Sequence, residues 1–281
     1  MAFSSECCVD DSVLHIYAII GSPRNEESYT YKGLRILEEQ MNEIRATKFE
    51  FLFLQQLALP FCDGCLYCVS KGEQHCPDFA KIGPVVSKVE AADGIILAAP
   101  VHTFNVAGLM KNFVEYFMYK RNRPSFFGKK AVVFATAAGG GHKVVLDFLE
   151  GTAEGWGCDV VSRIGISSSQ MGLKRGESAK PQYMDRLNEA AADAAAKFVA
   201  AIEDQTLQAA DFKQVMNFRA MQNMTRRQKD SVNYNYWQDR GWLNADFYTN
   251  APVGFFAYWM ARYIGSRIRK AMKKGNVKPV R

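Results

Sequence analysis

LHIYAIIGSPRNEESYT, residues 14–30, joins an almost continuous apolar run to an abrupt Gly-Ser-Pro and then to a cluster of hydroxyl side chains. An apolar run of this length without alternation is the pattern of a parallel strand buried on both faces. The hydroxyl-rich turn that follows leads into TYKGLRILEEQMNEI (30–44), whose apolar residues recur at helical spacing, and KFEFLFL (48–54) returns as a second strand. The opening is therefore a strand-loop-helix-strand unit.

The pattern repeats downstream. Helices are expected over 82–92, 108–120, 142–157 and 184–204, alternating with strands at 93–100, 129–137 and 158–166. Five strands alternating with helices predict an α/β doubly wound parallel sheet, because right-handed crossovers put helices on both faces. In such sheets ligands bind at the carboxyl ends of the strands. The 281 residues suit one such domain over 1–204, with a Cys-rich insert at 61–78, followed by an aromatic-rich helical extension over 205–281.

The predicted carboxyl-end loops carry distinct chemistry. GSPRNEESYT (21–30) offers Ser22, Arg24, Ser28, Tyr29 and Thr30 before a helix N-terminus, which suits a phosphate, although an ordinary Ser/Thr cap explains the same residues. Neither a dinucleotide glycine fingerprint nor a triphosphate-binding loop is present. After the third strand, Pro100, Val101, His102, Thr103, Phe104 and Asn105 form a mixed polar and aromatic edge. After the fourth, Thr136, Ala137, Gly139, Gly140, Gly141 and His142 let backbone approach a flat ligand. An imidazole can give and take a proton under physiological conditions, so His102 and His142 suit proton donation; a plain loop hydrogen bond is the competing reading. Lys111, Glu115 and Tyr116 read as a solvated or subunit-contacting helix face.

FCDGCLYCVSKGEQHC (61–76) places Cys62, Cys65, Cys68 and Cys76 in a C-x2-C-x2-C-x7-C run. Compact spacing of this kind favours iron over zinc, which more often takes two separated pairs; thiols that hold nothing remain the third reading. Asp78 is expected to cap the next helix, and Cys7, Cys8 and Cys158 read as bystanders. The chain starts without a basic segment followed by an apolar run, and no stretch approaches ~18 uninterrupted apolar residues. A cytoplasmic protein is expected. A net charge of +6, concentrated toward the C-terminus, argues against a nucleic-acid-binding face.

In order and spacing, GSPR with its following hydroxyls, the cysteine run, AAPVHTFNVAGLMKNF and TAAGGGH resemble the flavodoxin-like NAD(P)H-dependent FMN reductases, within them the iron–sulfur flavoprotein branch, over residues 13–204. The resemblance implies strand order 2-1-3-4-5, an FMN phosphate on the 22–30 loop and an isoalloxazine bordered by Pro100–Asn105 and Thr136–His142. It implies a [4Fe-4S] cluster close to the flavin on the four cysteines, with the connection that carries them passing over the flavin edge. NAD(P)H is the implied co-substrate, a small molecule or redox protein the acceptor, and a homodimer the assembly. His102 stands where relatives often carry Tyr, and Glu115-Tyr116 where they often carry Asp-Arg. The alternative function is a non-enzymatic electron carrier with the same groups.

The extension is too rich in aromatic residues for a disordered tail. It is expected to pack on its own domain or on a second subunit, with Trp237, Trp242, Phe247 and Tyr248 walling the flavin pocket. The stretch from Pro252 to Lys274 has an apolar front and a basic end, so an interfacial helix on an anionic membrane is the alternative.

Overall fold

The computed structural model describes residues 13–167, 181–207, 209–250, 252–254, 259, 260 and 263, with the side chains of 181–183 outside that description. Five parallel strands build the sheet: β1 (Leu14–Ile20), β2 (Thr47–Phe53), β3 (Gly94–His102), β5 (Lys130–Ala137) and β6 (Asp159–Ser167). Their order is β2-β1-β3-β5-β6, which is the expected flavodoxin-like 2-1-3-4-5 counted over the parallel strands. One element escaped the sequence reading. Residues Asn105–Val106 form a short strand β4 that turns back antiparallel on the end of β3. At two residues it is too short for any periodicity.

Helices cover both faces. On one lie α1 (Tyr29–Ile44) and α8 (Pro181–Asp204). Leu187, Ala191, Ala194, Ala195 and Phe198 recur at helical spacing along α8 and bury against the sheet with Leu34, Leu37 and Met41 of α1. Close approach here depends on Gly33, where a Cβ would fall 2.5 Å from the Phe134 ring. The other face carries α4 (Phe79–Ala91), α5 (Gly108–Tyr116) and α7 (His142–Trp156), packed over Ile19, Leu97 and Val133. Each fully buried aliphatic side chain contributes roughly 1.5–3 kcal/mol.

Shorter helices α2 (Leu54–Leu57), α3 (Tyr67–Ser70) and α6 (Met118–Asn122) fill the connections. The extension adds α9 (Phe212–Thr225), opened by a reciprocal Asp211–Gln214 capping box, and α10 (Val232–Asp239), capped by Ser231.

The extension packs on its own domain, but not at the loops expected to hold the flavin. The Trp237 indole N–H donates to the Asn122 carbonyl at 2.7 Å and the Tyr236 hydroxyl to the Pro124 carbonyl at 2.6 Å. Those carbonyls lie in the connection that feeds the amino end of β5. Trp237, Trp242, Phe247 and Tyr248 therefore form a separate aromatic cluster with Phe218 and Phe127, at the opposite edge from the expected flavin pocket. Cys158 is buried in the core, whereas Cys7, Cys8 and most of the stretch from Pro252 to Lys274 lie outside the described residues. Among the described residues no helix is long and apolar enough to cross a membrane.

Candidate functional site

Three loops meet at the carboxyl edge, around a cleft of ≈ 430 Å³. The first runs from Gly21 to the start of α1. Ser28 is its cap: its hydroxyl accepts from the Tyr31 N–H at 3.1 Å and donates to the Asn25 carbonyl at 2.7 Å, so the bland reading holds for this side chain. The buried Ser22 hydroxyl accepts from the Arg24 N–H at 3.3 Å, while the Arg24 side chain stands exposed. Thr30 shares a 2.8 Å hydrogen bond with Thr136, tying this loop to the end of β5. Asn25 adopts a left-handed φ of 46°, and its Oδ1 is buried with no hydrogen-bond partner. A buried acceptor left without a donor costs about 1–3 kcal/mol.

The second loop is a hairpin. Val101 pairs with Val106 and His102 with Asn105, which leaves Thr103 and Phe104 as the two turn residues, at φ 50° and 57°. Left-handed backbone at both central positions is a type I′ turn, which favours Asn-Gly. A β-branched Thr and a bulky Phe are poor occupants, at a cost on the order of 1–3 kcal/mol each. Strain of this kind gathers at functional sites. Phe104 stands 74% exposed.

The third loop supplies close backbone approach. A Cβ at Gly139 or Gly140 would meet nothing within 4 Å, so both open onto free space. Gly141, at φ 93°, lies under the hairpin: a Cβ there would fall 2.9 Å from Val101 Cγ1 and 3.3 Å from the Phe104 ring. His142 places Nε2 2.7 Å from the Ile166 carbonyl. Because a carbonyl only accepts, Nε2 carries the proton, and in the neutral ring Nδ1 is the lone-pair nitrogen.

Ten of the residues named from sequence line the cleft together: Ser22, Arg24, Ser28, Tyr29, Thr30, Pro100, Val101, His102, Thr136 and Ala137. Pro23 and Ala138 join them, missed because neither carries a side chain that signals chemistry. Thr103, Phe104, Asn105, Gly139, Gly140, Gly141 and His142 adjoin the cleft without lining it. Buried hydroxyls, an exposed guanidinium, a helix N-terminus and open glycine backbone fit a phosphorylated planar ligand of the FMN type. The unpartnered Asn25 Oδ1 is an acceptor outside the cleft lining and takes no part in that fit.

No cysteine is among the residues lining the cleft, and the run packs along the flank of α5 and α6. Asn112 accepts from the Cys62 N–H at 3.0 Å and donates to the Pro60 carbonyl at 2.7 Å. Tyr116 donates to the Asp78 carboxylate at 2.8 Å. Both expectations for this pair fail. Tyr116 is buried rather than solvated, and Asp78, drawn to it, makes no side-chain cap for α4. Neither contact has a local sequence signal, since the partners are 38 residues apart. The buried Arg123 donates to the Cys68 carbonyl at 2.6 Å, the Val69 carbonyl at 3.2 Å, Glu73 at 2.9 Å and Asn233 of α10.

Burial, and behind it the neighbouring Cys76, Cys62 and Cys65, push the Cys68 thiol above its ordinary range. Burial does the same to Cys76. The four sulfurs are thus within electrostatic reach of one another. Among the described residues, however, no three Cys, His, Asp or Glu side chains gather into a metal-binding group.

Comparison with known proteins follows the same lines. The chain is 28% identical over 142 residues to an iron–sulfur flavoprotein of Archaeoglobus fulgidus, covering 50% of this chain and 62% of that one. It is 31% identical over 117 residues to an iron–sulfur flavoprotein of Methanocaldococcus jannaschii, covering 41% and 55%. The matched stretches thus span less than two thirds of either relative. An azoreductase structure from Bacillus anthracis shares the fold at a TM-score of 0.50, with 13% identity over 68% of this chain and 99% of that one. The profile for NADPH-dependent FMN reductase matches residues 14–170, more than half of the sequence, and the chain belongs to that family.

Proposed function

We propose that this protein is an NAD(P)H-dependent FMN oxidoreductase that works at the carboxyl-edge cleft. The observation that carries the reading is the meeting of the 22–30, 100–102 and 136–138 segments around one cleft, in a chain of this family. When bound, FMN supplies hydride acceptance from a nicotinamide and onward transfer of one or two electrons to a small molecule or a redox protein. The chain's own residues bind and orient. Ser22, Arg24 and the amino end of α1 hold the phosphate, and Thr30–Thr136 fixes the spacing of two walls. Pro100–Asn105 and the 136–142 loop border the ring, with Phe104 and Val101 braced on Gly141. His102, on the cleft wall, is the histidine placed to hold a proton there, since His142 does not line the cleft.

The four cysteines would be the residues to hold a [4Fe-4S] cluster on the α5–α6 flank, although no three of them gather into a metal-binding group among the described residues. Four thiols in one segment and relatives named iron–sulfur flavoproteins support that assignment. Assembly as a homodimer in the cytoplasm accompanies the proposal.

Anaerobic purification with a visible spectrum, an FMN titration of stripped protein, iron and sulfide assays and NAD(P)H oxidation with a dye acceptor test the reading. One FMN per chain and dye-dependent turnover are expected, with at least tenfold weaker FMN binding in Arg24→Ala. Failure to take up FMN would overturn the proposal. FMN uptake without turnover would favour the electron carrier, and FMN without about four iron atoms per chain would remove the cluster alone.

A further inference from the structure

A second cavity, larger than the flavin cleft, lies away from it. A space of ≈ 540 Å³ lies at the amino edge of the sheet, walled by α7, the 121–128 connection and the extension. Its volume is within the range of small-molecule sites.

The α7 wall is cut back by Gly151 and Gly155. Glycine is unfavourable inside a helix, and here protein packing does not require it: a Cβ on Gly151 would meet nothing within 4 Å, and one on Gly155 only the flexible Arg121 side chain at 3.5 Å. The two glycines keep the space open. Phe127, Phe148 and Phe247 give it flat apolar walls.

Its charges pair off, with one exception. Glu154 meets Lys213 at 3.3 Å, Asp147 meets Lys143 and Arg163 at 2.5 Å, and Asp159 meets Lys130 at 2.8 Å. Arg121, exposed beside the cavity, has no carboxylate or hydrogen-bond partner among the described residues. Beside it stands Tyr248, whose ring is packed against Trp242 at 4.9 Å and Phe218 at 4.6 Å. The Tyr248 hydroxyl also makes no hydrogen bond to a described residue, and burial keeps it a neutral donor. A guanidinium and a phenol that can each donate thus line one cavity with no hydrogen-bond partner among the described residues.

The geometry points to a second ligand site at this amino edge, for a small molecule with a planar apolar body and a single carboxylate that Arg121 and Tyr248 receive. The inference is independent of the flavin chemistry at the other edge.

Calorimetric titration of the full chain with 2-naphthoate, with and without FMN, tests it, using neutral 2-naphthamide as control. One naphthoate per chain is expected, with naphthamide at least tenfold weaker and Arg121→Gln lowering naphthoate affinity to the naphthamide level. Gly151→Leu fills the space at a position where leucine suits the helix better than glycine. It should abolish naphthoate binding while leaving FMN uptake intact and Tm no lower. No binding at millimolar naphthoate, or equal binding in both variants, would overturn the site. A fall in Tm or a change in sedimenting mass with Gly151→Leu would overturn it as well, because protein would then occupy the space.

Discussion

At the carboxyl edge, Thr103 and Phe104 hold left-handed backbone, Asn25 keeps a buried oxygen unpaired and two glycines face open space. At the amino edge, Trp237 is completely buried, its indole nitrogen paired with Asn122 and its ring stacked on Phe218 at 5.4 Å. The same sheet thus carries a strained end, open at its loops, and an unstrained one, closed where the aromatic cluster sits beside the second cavity. Stability is invested where the extension sits, and the loops opposite are left free to be completed by something else.

The largest effect should come from the closed end. Trp237→Ala removes the centre of the aromatic cluster and is expected to cost about 3–5 kcal/mol in urea unfolding, while the fraction still folded binds FMN normally. A large loss of FMN affinity in that fraction would break the comparison. Next comes the cysteine flank, which belongs to neither edge. Tyr116→Phe strips the donor from Asp78 and is expected to cost about 1.5–3 kcal/mol, with faster labelling of Cys62 and Cys76 by a thiol reagent.

Effects at the open end should be smaller in stability and larger in binding. Gly141→Ala forces a Cβ into left-handed backbone against Val101, for about 1–2 kcal/mol of stability and a measurable loss of FMN affinity by fluorescence titration. Phe104→Gly relaxes the turn and should stabilise the protein by about 1 kcal/mol while lowering turnover. A destabilised Phe104→Gly would show that the turn stores no strain.

The smallest effect concerns pH. Burial raises the Glu154 carboxyl above its ordinary 4.5, against the pull of Lys213. A raised native pKa favours the protonated form on folding. Its contribution is therefore complete below pH 4.5 and is lost as pH climbs through the native value. Unfolding curves over that window should show a decline in wild type that Glu154→Gln lacks.

Much of the fold could be read in advance because strands buried on both faces announce themselves as unbroken apolar runs, as Leu14–Ile20 and Lys130–Ala137 do. The cleft was legible for a related reason: loops at the carboxyl ends follow directly from strand positions, so Ser22, Pro100 and Thr136 could be brought together on topology alone. What stayed hidden depends on distant partners. The spacing of Tyr116 on α5 says nothing of Asp78, and the aromatic density of the extension says that it is buried without saying against what. Strain at Thr103 and Phe104 was equally invisible, since neither residue favours the conformation it adopts.

The grip of Arg123 on the cysteine loop bears on how sequences of this kind drift. Its guanidinium is shared between the Cys68 and Val69 carbonyls, Glu73 on the loop and Asn233 on α10. A lineage that discarded the extension would leave this buried cation short of an acceptor, and one that replaced the cation would loosen the loop and orphan the Asn233 amide together. Arg123 and Asn233 are therefore expected to be inherited or lost as a pair, with shorter relatives carrying a different residue where Arg123 stands.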